Sequence, residues 1–324
     1  MSTAVCWLNW LFLTLLRLLR WWKSPRRPSR LSRRVSRTPD PQRSYDRCVS
    51  IHSNRRTRSI LDNPRAERVR RVRALLRRSV RQKEGRFLAE GPQAVREAVA
   101  WCPQSIIDVY VDPHGRERHK DIVDAALAAG VFVHDVTAEV LAVMADTESP
   151  QGVLAVVEKV DVPLEKILEE GSDRPRMLVM LAAVRDPGNA GTVLRGADAM
   201  GADAVLVGSS SVDLYNPKVV RSTVGSLFHL PVVTGVDVQS TLMRLREEAG
   251  VVAYAADGEG DTPITEADLT RSHVWVMGNE AWGLTEEMSA ACDQVVSIPL
   301  HRAESLNLAM AATICMFASS QARG

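Results

Sequence analysis

Three short stretches of the chain hold residues able to do polar chemistry. In RDPGNAGTVLR (185–195) the amide of Asn189 stands six residues before the guanidinium of Arg195. In GNEAWGL (278–284) the carboxylate of Glu280 follows Gly278 by two residues. IPLHRAESLN (298–307) opens on Ile298 and closes on Ser305, Leu306 and Asn307. A guanidinium stays protonated and presents a planar fork, so Arg195 suits the clamping of an anion and is an awkward base. Each stretch also has a plainer use. Pro187 and Gly188 make a turn, and Asn189 or Thr192 can cap a helix. Ser305 or Asn307 can cap the last helix. Gly191 lets a backbone approach closely, and Gly278 opens the chain where a ligand can lie.

Other chemistries find little support. There is no G-x-G-x-x-G fingerprint and no phosphate-cradling P-loop. No nucleophile–base pair for acyl transfer is visible. The cysteines, Cys6, Cys48, Cys102, Cys292 and Cys315, are scattered without a C-x-x-C pair, so neither disulfides nor structural zinc are signalled. The DGEGD turn (257–261) fails the spacing of a calcium loop, and no metal site is expected. His229 sits at a strand entrance and reads as structural. His301 has no assigned role.

The elements that must position these stretches follow from hydrophobic pattern. Residues 177–184 form a continuous apolar run, as in a parallel strand buried on both faces. Further strands are expected at 204–207, 232–234, 251–255, 274–277 and 295–298, with helices at 191–200, 242–249, 286–291 and 306–319. Such alternation predicts a parallel sheet covered on both faces. Ligands of such sheets bind at the carboxyl ends of the strands, where all three stretches lie. Upstream, strands at 85–90, 106–111, 131–135 and 152–158 alternate with helices at 91–101, 117–129 and 138–145. The division expected is a basic extension (1–59), a small α/β domain (60–158), a linker (159–175) and a second α/β domain (176–324).

Charge sharpens that division. The chain of 324 residues has a net charge of only +2. Residues 1–59 hold 14 basic and two acidic residues, whereas 159–324 hold 13 basic and 22 acidic. The stretch 65–86 carries ten basic residues against Glu67 and Glu84. Val69, Val72, Leu75, Leu76 and Val80 recur at helical spacing, so it reads as an amphipathic helix with arginines on its outer faces. Arg70, Arg71, Arg77 and Arg78 are its expected phosphate contacts. The apolar run near the amino terminus is broken by Arg17 and Arg20, too short for a membrane span. Residues 23–37, rich in Arg, Ser and Pro, imply disorder. Three readings of 1–59 stand: an over-extended reading frame, an organellar presequence, or an anchor at a membrane surface. The first is favoured because four of the seven tryptophans crowd there. Without that extension the expected location is the cytoplasm.

Taken together, N-x-G-x-x-x-R at 189–195, G-x-E-x-x-G at 278–283 and I-P-L…S-L-N at 298–307 resemble the three motifs of the SpoU (TrmH) family of RNA 2′-O-ribose methyltransferases. The resemblance covers about residues 60–320. It implies an α/β trefoil-knot (SPOUT) domain preceded by a small substrate-binding domain similar to ribosomal proteins of the L30e type. It implies S-adenosylmethionine as methyl donor, contacted at Gly278, Ile298 and Leu306. It implies catalytic and substrate-side roles for Asn189, Arg195, Glu280, Ser305 and Asn307, and a homodimer. Proposals for the family make the arginine matching Arg195 the proton acceptor; guanidinium chemistry instead favours Arg195 as a clamp on the target phosphate, with Glu280 orienting it through a bidentate pair. The substrate expected is structured RNA, ribosomal ahead of transfer RNA because a separate amino-terminal domain is present. A non-catalytic RNA-binding protein on the same fold is the alternative, weakened by the presence of Asn189, Arg195 and Gly278. A nucleotide-dependent oxidoreductase is disfavoured by the missing glycine fingerprint.

Overall fold

A computed structural model describes residues 60–169 and 176–323. The expectations for 1–59 and for part of the linker lie outside the described residues. The first domain runs through α1 (Glu67–Ala74), α2 (Arg78–Glu84), β1 (Arg86–Glu90), α3 (Pro92–Trp101), β2 (Ile106–Val111), α4 (Pro113–Arg118), α5 (Lys120–Ala128), β3 (Phe132–Asp135), α6 (Ala138–Met144) and β4 (Val153–Glu158). Its sheet order is β1-β4-β2-β3. β4 runs antiparallel to both β1 and β2, whereas β2 and β3 are parallel. The single basic helix expected over 65–86 is two helices. The cause is Arg81, which turns inward instead of joining the arginine face. Its guanidinium donates to the carbonyls of Leu75 (2.9 Å) and Leu76 (2.7 Å). It thereby satisfies acceptors that the end of α1 would leave open.

The second domain begins inside the expected linker, with α7 (Leu164–Glu169), whose Ile167 and Leu168 are buried against the second sheet. It continues through β5 (Met177–Leu181), α8 (Pro187–Ala199), β6 (Ala204–Gly208), α9 (Pro217–Ser222), β7 (Val232–Val236), α10 (Val238–Ala249), β8 (Val252–Ala256), β9 (Thr262–Pro263), β10 (His273–Met277), α11 (Glu286–Ala291), β11 (Gln294–Ser297) and α12 (Leu308–Ala322). The sheet order is β7-β6-β5-β10-β8-β11-β9, parallel throughout. Every residue of β5, β6 and β10 is buried, as expected for strands covered on both faces. Val179, Leu181, Val205 and Val207 pack with α8 and α12 on one side. Leu178, Met180 and Leu206 pack with α10 on the other. This order makes β5 and β10 direct neighbours, so the loops leaving their carboxyl ends lie side by side. The loop after β11 leads into α12, which returns over α8: a Cβ on Gly196 would lie 3.0 Å from Met316 Cε.

The two sheets share one apolar core. Phe87 of β1 packs at a tilt against Tyr215 (centroids 4.7 Å apart) and stacks on Phe228 (6.2 Å). Arg81 crosses the seam to Asp213, with Nη2 2.6 Å from Oδ2. The Tyr215 hydroxyl accepts from the backbone N–H groups of Val160 (3.0 Å) and Asp161 (2.9 Å), and donates to Asp161 Oδ1 (2.7 Å). Burial, with the Asp161 charge beside it, pushes the phenol's pKa up, so it stays a neutral donor. His229 also spans the seam, between Asp198 (2.7 Å) and Glu97 (3.1 Å), in keeping with a structural histidine.

Breaking a buried ion pair from one side leaves an uncompensated charge. Asp213→Ala is therefore expected to lower unfolding free energy in urea by about 3 kcal/mol. Arg78→Ala, on the exposed face, is expected to change it by less than about 0.5 kcal/mol.

Candidate active site

The loop after β5 becomes α8 through an Asp-Pro start. Asp186 caps the helix by accepting from Asn189 N–H at 2.7 Å, and Pro187 takes the first helical position. The expectation that Asn189 or Thr192 caps is corrected: with the cap filled by Asp186, the Asn189 side chain is released for other partners. Gly191 is needed where α8 meets α9, since a Cβ there would lie 1.8 Å from Ser222 Oγ.

Glu280 reaches this helix start from the neighbouring loop. Its carboxylate accepts from the N–H of Arg185 (3.2 Å), the N–H of Asp186 (3.0 Å) and the amide of Asn189 (3.3 Å). Asn189 Oδ1 in turn accepts from Asn307 Nδ2 at 3.1 Å. Asn307 caps α12 with its side-chain Oδ1, which accepts from the N–H of Ala309 at 2.9 Å. One amide thus joins all three loops. The expected bidentate pair between Glu280 and Arg195 is absent. Glu280 is satisfied at the helix start, and Arg195 lies nine residues beyond Asp186, roughly 13 Å of helix rise. Arg195 is exposed and has no hydrogen bond or ion pair among the described residues. Ser305 is exposed beside Asn307.

Gly278 serves the loop itself: a Cβ there would lie 2.4 Å from the carbonyl carbon of Gly283. On the side where a Cβ would point, the chain's own turn fills the space. Asn279 is buried and donates to Ala183 O at 3.1 Å, tying the loop to the end of β5. Ile298 and Leu306 are half-buried, and residues 298–307 form neither helix nor strand. Their backbone groups are not used in a ladder. That combination of apolar side chains and open amides and carbonyls fits a purine nucleoside with a charged tail.

Among the described residues, the four first-domain arginines expected to meet phosphate make no hydrogen bond or ion pair to these loops. Arg70, Arg71, Arg77 and Arg78 are all exposed, and Arg71 pairs with Glu67. Of these four, Arg71 alone lines a groove of about 600 Å³, whose other charged residues are of both signs: Arg68 and Arg86 against Glu67, Glu84 and Asp108. Among the described residues no group of three His, Cys, Asp or Glu could hold a metal ion. Nor is any helix there long and apolar enough to cross a membrane. Sequence reasoning passed over Asp186, Asn279 and Trp282. The Asp-Pro pair was a legible signal for the first.

A parallel sheet with three loops gathered at its carboxyl edge, beside a small α/β domain, defines a two-domain α/β architecture. Residues 176–317 match the SpoU rRNA Methylase family, and 66–155 match the MRM3-like substrate binding domain. The chain is 31% identical over 258 residues to the 23S rRNA (guanosine(2553)-2′-O)-methyltransferase RlmP of Bacillus subtilis, covering 79% of this chain and 97% of that protein. It is 34% identical to a 23S rRNA (guanosine-2′-O-)-methyltransferase RlmB of Bordetella pertussis, covering 72% and 96%. Among solved structures it is similar to an AdoMet-bound rRNA methyltransferase of Sinorhizobium meliloti (TM-score 0.71, 28% identity, covering 81% and 97%). It is also similar to the AdoMet complex of AviRb from Streptomyces viridochromogenes (TM-score 0.70, 29% identity, covering 80% and 99%). The chain belongs to the SpoU rRNA methylase family.

The Glu280 clasp has a pH signature. Partial burial raises the Glu280 pKa, but hydrogen bonds from the N–H groups of Asp186, Glu280 itself and Arg185, and from Asn189, outweigh it and hold the carboxyl below 4.5. A depressed pKa contributes stability above the unfolded value, lost as pH falls through the folded one. Glu280→Gln is expected to melt below wild type at neutral pH. That gap should narrow as pH falls below the ordinary glutamate value of about 4.3, read by thermal denaturation across pH.

Proposed function

We propose that this protein transfers the methyl group of S-adenosylmethionine to a ribose 2′-hydroxyl of 23S-type ribosomal RNA. The observation that carries the reading is the Asn189 amide, which draws three motif loops to one edge and leaves Arg195 exposed beyond them. When bound, S-adenosylmethionine supplies a methyl group already activated on a sulfonium. Gly278, Ile298 and Leu306 would hold it, the first by shaping the loop and the other two by apolar contact and open backbone. The remaining work is to align the hydroxyl oxygen with that carbon and to stabilise the charge that develops on it. Arg195, with no competing partner, can clamp the phosphate next to the target ribose with its planar fork. Its charge then favours the alkoxide, and the phosphate assists departure of the proton. Glu280 keeps the start of α8 in place and acts on Arg195 through the helix. Asn307 and Ser305 present amide and hydroxyl groups to the ribose side.

Arg70, Arg71, Arg77 and Arg78 supply phosphate contacts on the first domain, which an acidic second domain could not supply by net charge. The relatives' named substrates favour ribosomal over transfer RNA. The reading includes the trefoil threading of the last strands and work in the cytoplasm. It also includes a homodimer. Met310, Ile314 and Phe317 are 57%, 38% and 52% exposed along one line of α12, directly after Asn307. Three exposed apolar residues in register on a terminal helix suit a self-complementary interface.

Calorimetry should detect S-adenosylmethionine and not NAD, and tritium should pass from the donor to a 23S rRNA transcript as a 2′-O-methyl group. A purified protein that binds no donor would refute the reading. Arg195→Lys keeps charge and loses the fork; its kcat is expected to fall about 100-fold with donor affinity unchanged. Phe317→Asp is expected to convert the dimer to monomer by light scattering.

A further inference from the structure

Trp282 has no part in the scheme above, yet it stands 57% exposed on the loop after β10. It is held there by a rigid turn. Asn279 N–H donates to Gly283 O at 2.7 Å, and Gly283 N–H returns to Asn279 O at 3.0 Å. Gly283 adopts φ +68°, and the close contact at Gly278 leaves no room for a side chain. Two residues on, Leu284 is buried. The loop therefore has an inward apolar position and uses it for leucine, while the larger and more costly indole is presented to solvent. The Arg185 guanidinium carbon lies 5.2 Å from the indole centroid. Arg185 and Glu280 also share the backbone clasp, with the Arg185 N–H 3.2 Å from Glu280 Oε2. Indole, guanidinium and the anchored carboxylate are thus parts of one framework.

We propose that Trp282 and Arg185 form a stacking ledge for an unpaired nucleobase of the RNA, beside the ribose that is methylated. This rests on the reading of the site given above. An exposed indole can stack only on a base that has left its helix, and recognition of RNA sequence centres on single-stranded loops and bulges whose bases can be splayed out. Proteins hold such bases on aromatic rings and guanidinium planes. An exposed indole with an arginine over its ring offers both, and the cation also suits the neighbouring phosphate. Stacking does not discriminate strongly among bases, so the ledge positions the nucleotide and leaves target choice to other contacts.

The test compares wild type, Trp282→Ala, Trp282→Phe and Arg185→Ala on an unmodified 23S rRNA transcript with tritiated S-adenosylmethionine. Trp282→Ala is expected to raise KM for RNA about tenfold. Trp282→Phe should recover most of that loss, and Arg185→Ala should show a smaller rise. Melting temperature, donor affinity and the mass in light scattering should match wild type, because the indole is exposed. An unchanged KM for RNA in Trp282→Ala overturns the ledge. So does a fall in donor affinity, which would place the indole on the donor, or a change in mass, which would place it between subunits. A wild type that binds donor and methylates RNA while Trp282→Ala is indistinguishable from it sinks the ledge alone. Wild type that binds no donor sinks the reading of the site and the ledge with it.

Discussion

The amide of Asn189 is the interaction on which the arrangement of the site depends. Its nitrogen donates to Glu280 and its oxygen accepts from Asn307, so residues far apart in the chain meet at one side chain. Neither bond alone is worth more than about 3 kcal/mol. Their value lies in geometry: they tie the loops after β10 and β11 to the start of α8. The amide is available because Asp186 takes over the capping duty. A residue that fills one role frees its neighbour three positions on for another.

The sheet order makes that junction reachable. β10 is inserted beside β5, so the carboxyl ends of two strands separated by almost one hundred residues become adjacent. Both strands are buried on both faces, which leaves their loops as the parts free to carry polar groups. Gly278 illustrates the same constraint at atomic scale. Its absent side chain is required by the chain's own turn, and the rigidity so obtained serves the residues on either side.

Much of this was legible beforehand. Continuous apolar runs such as 177–184 announce buried parallel strands, and β2 and α11 have the expected limits. Short elements were missed: α7 and α9 are single turns or little more, stabilised by docking and not by local pattern. The partners of charged residues were the least legible. Arg81 and Arg78 lie three residues apart in one basic run, yet one is buried against Asp213 and the other exposed. Nothing local distinguishes them; the carboxylate that selects Arg81 is 132 residues away. Glu280 was assigned to Arg195 for the same reason, because a free carboxylate suggests a guanidinium when backbone donors cannot be seen.

The Tyr215 hydroxyl, which receives two consecutive backbone N–H groups of the connecting segment, has a consequence for substrate reading. A tether pinned at its midpoint to one domain cannot act as a hinge. With the apolar core continuous through the same seam, the span from the exposed arginines of α1 and α2 to the loops at the sheet edge is a fixed length. Under the function proposed above, the molecule would then work as a gauge, with phosphates held at one end setting which ribose lies at the other.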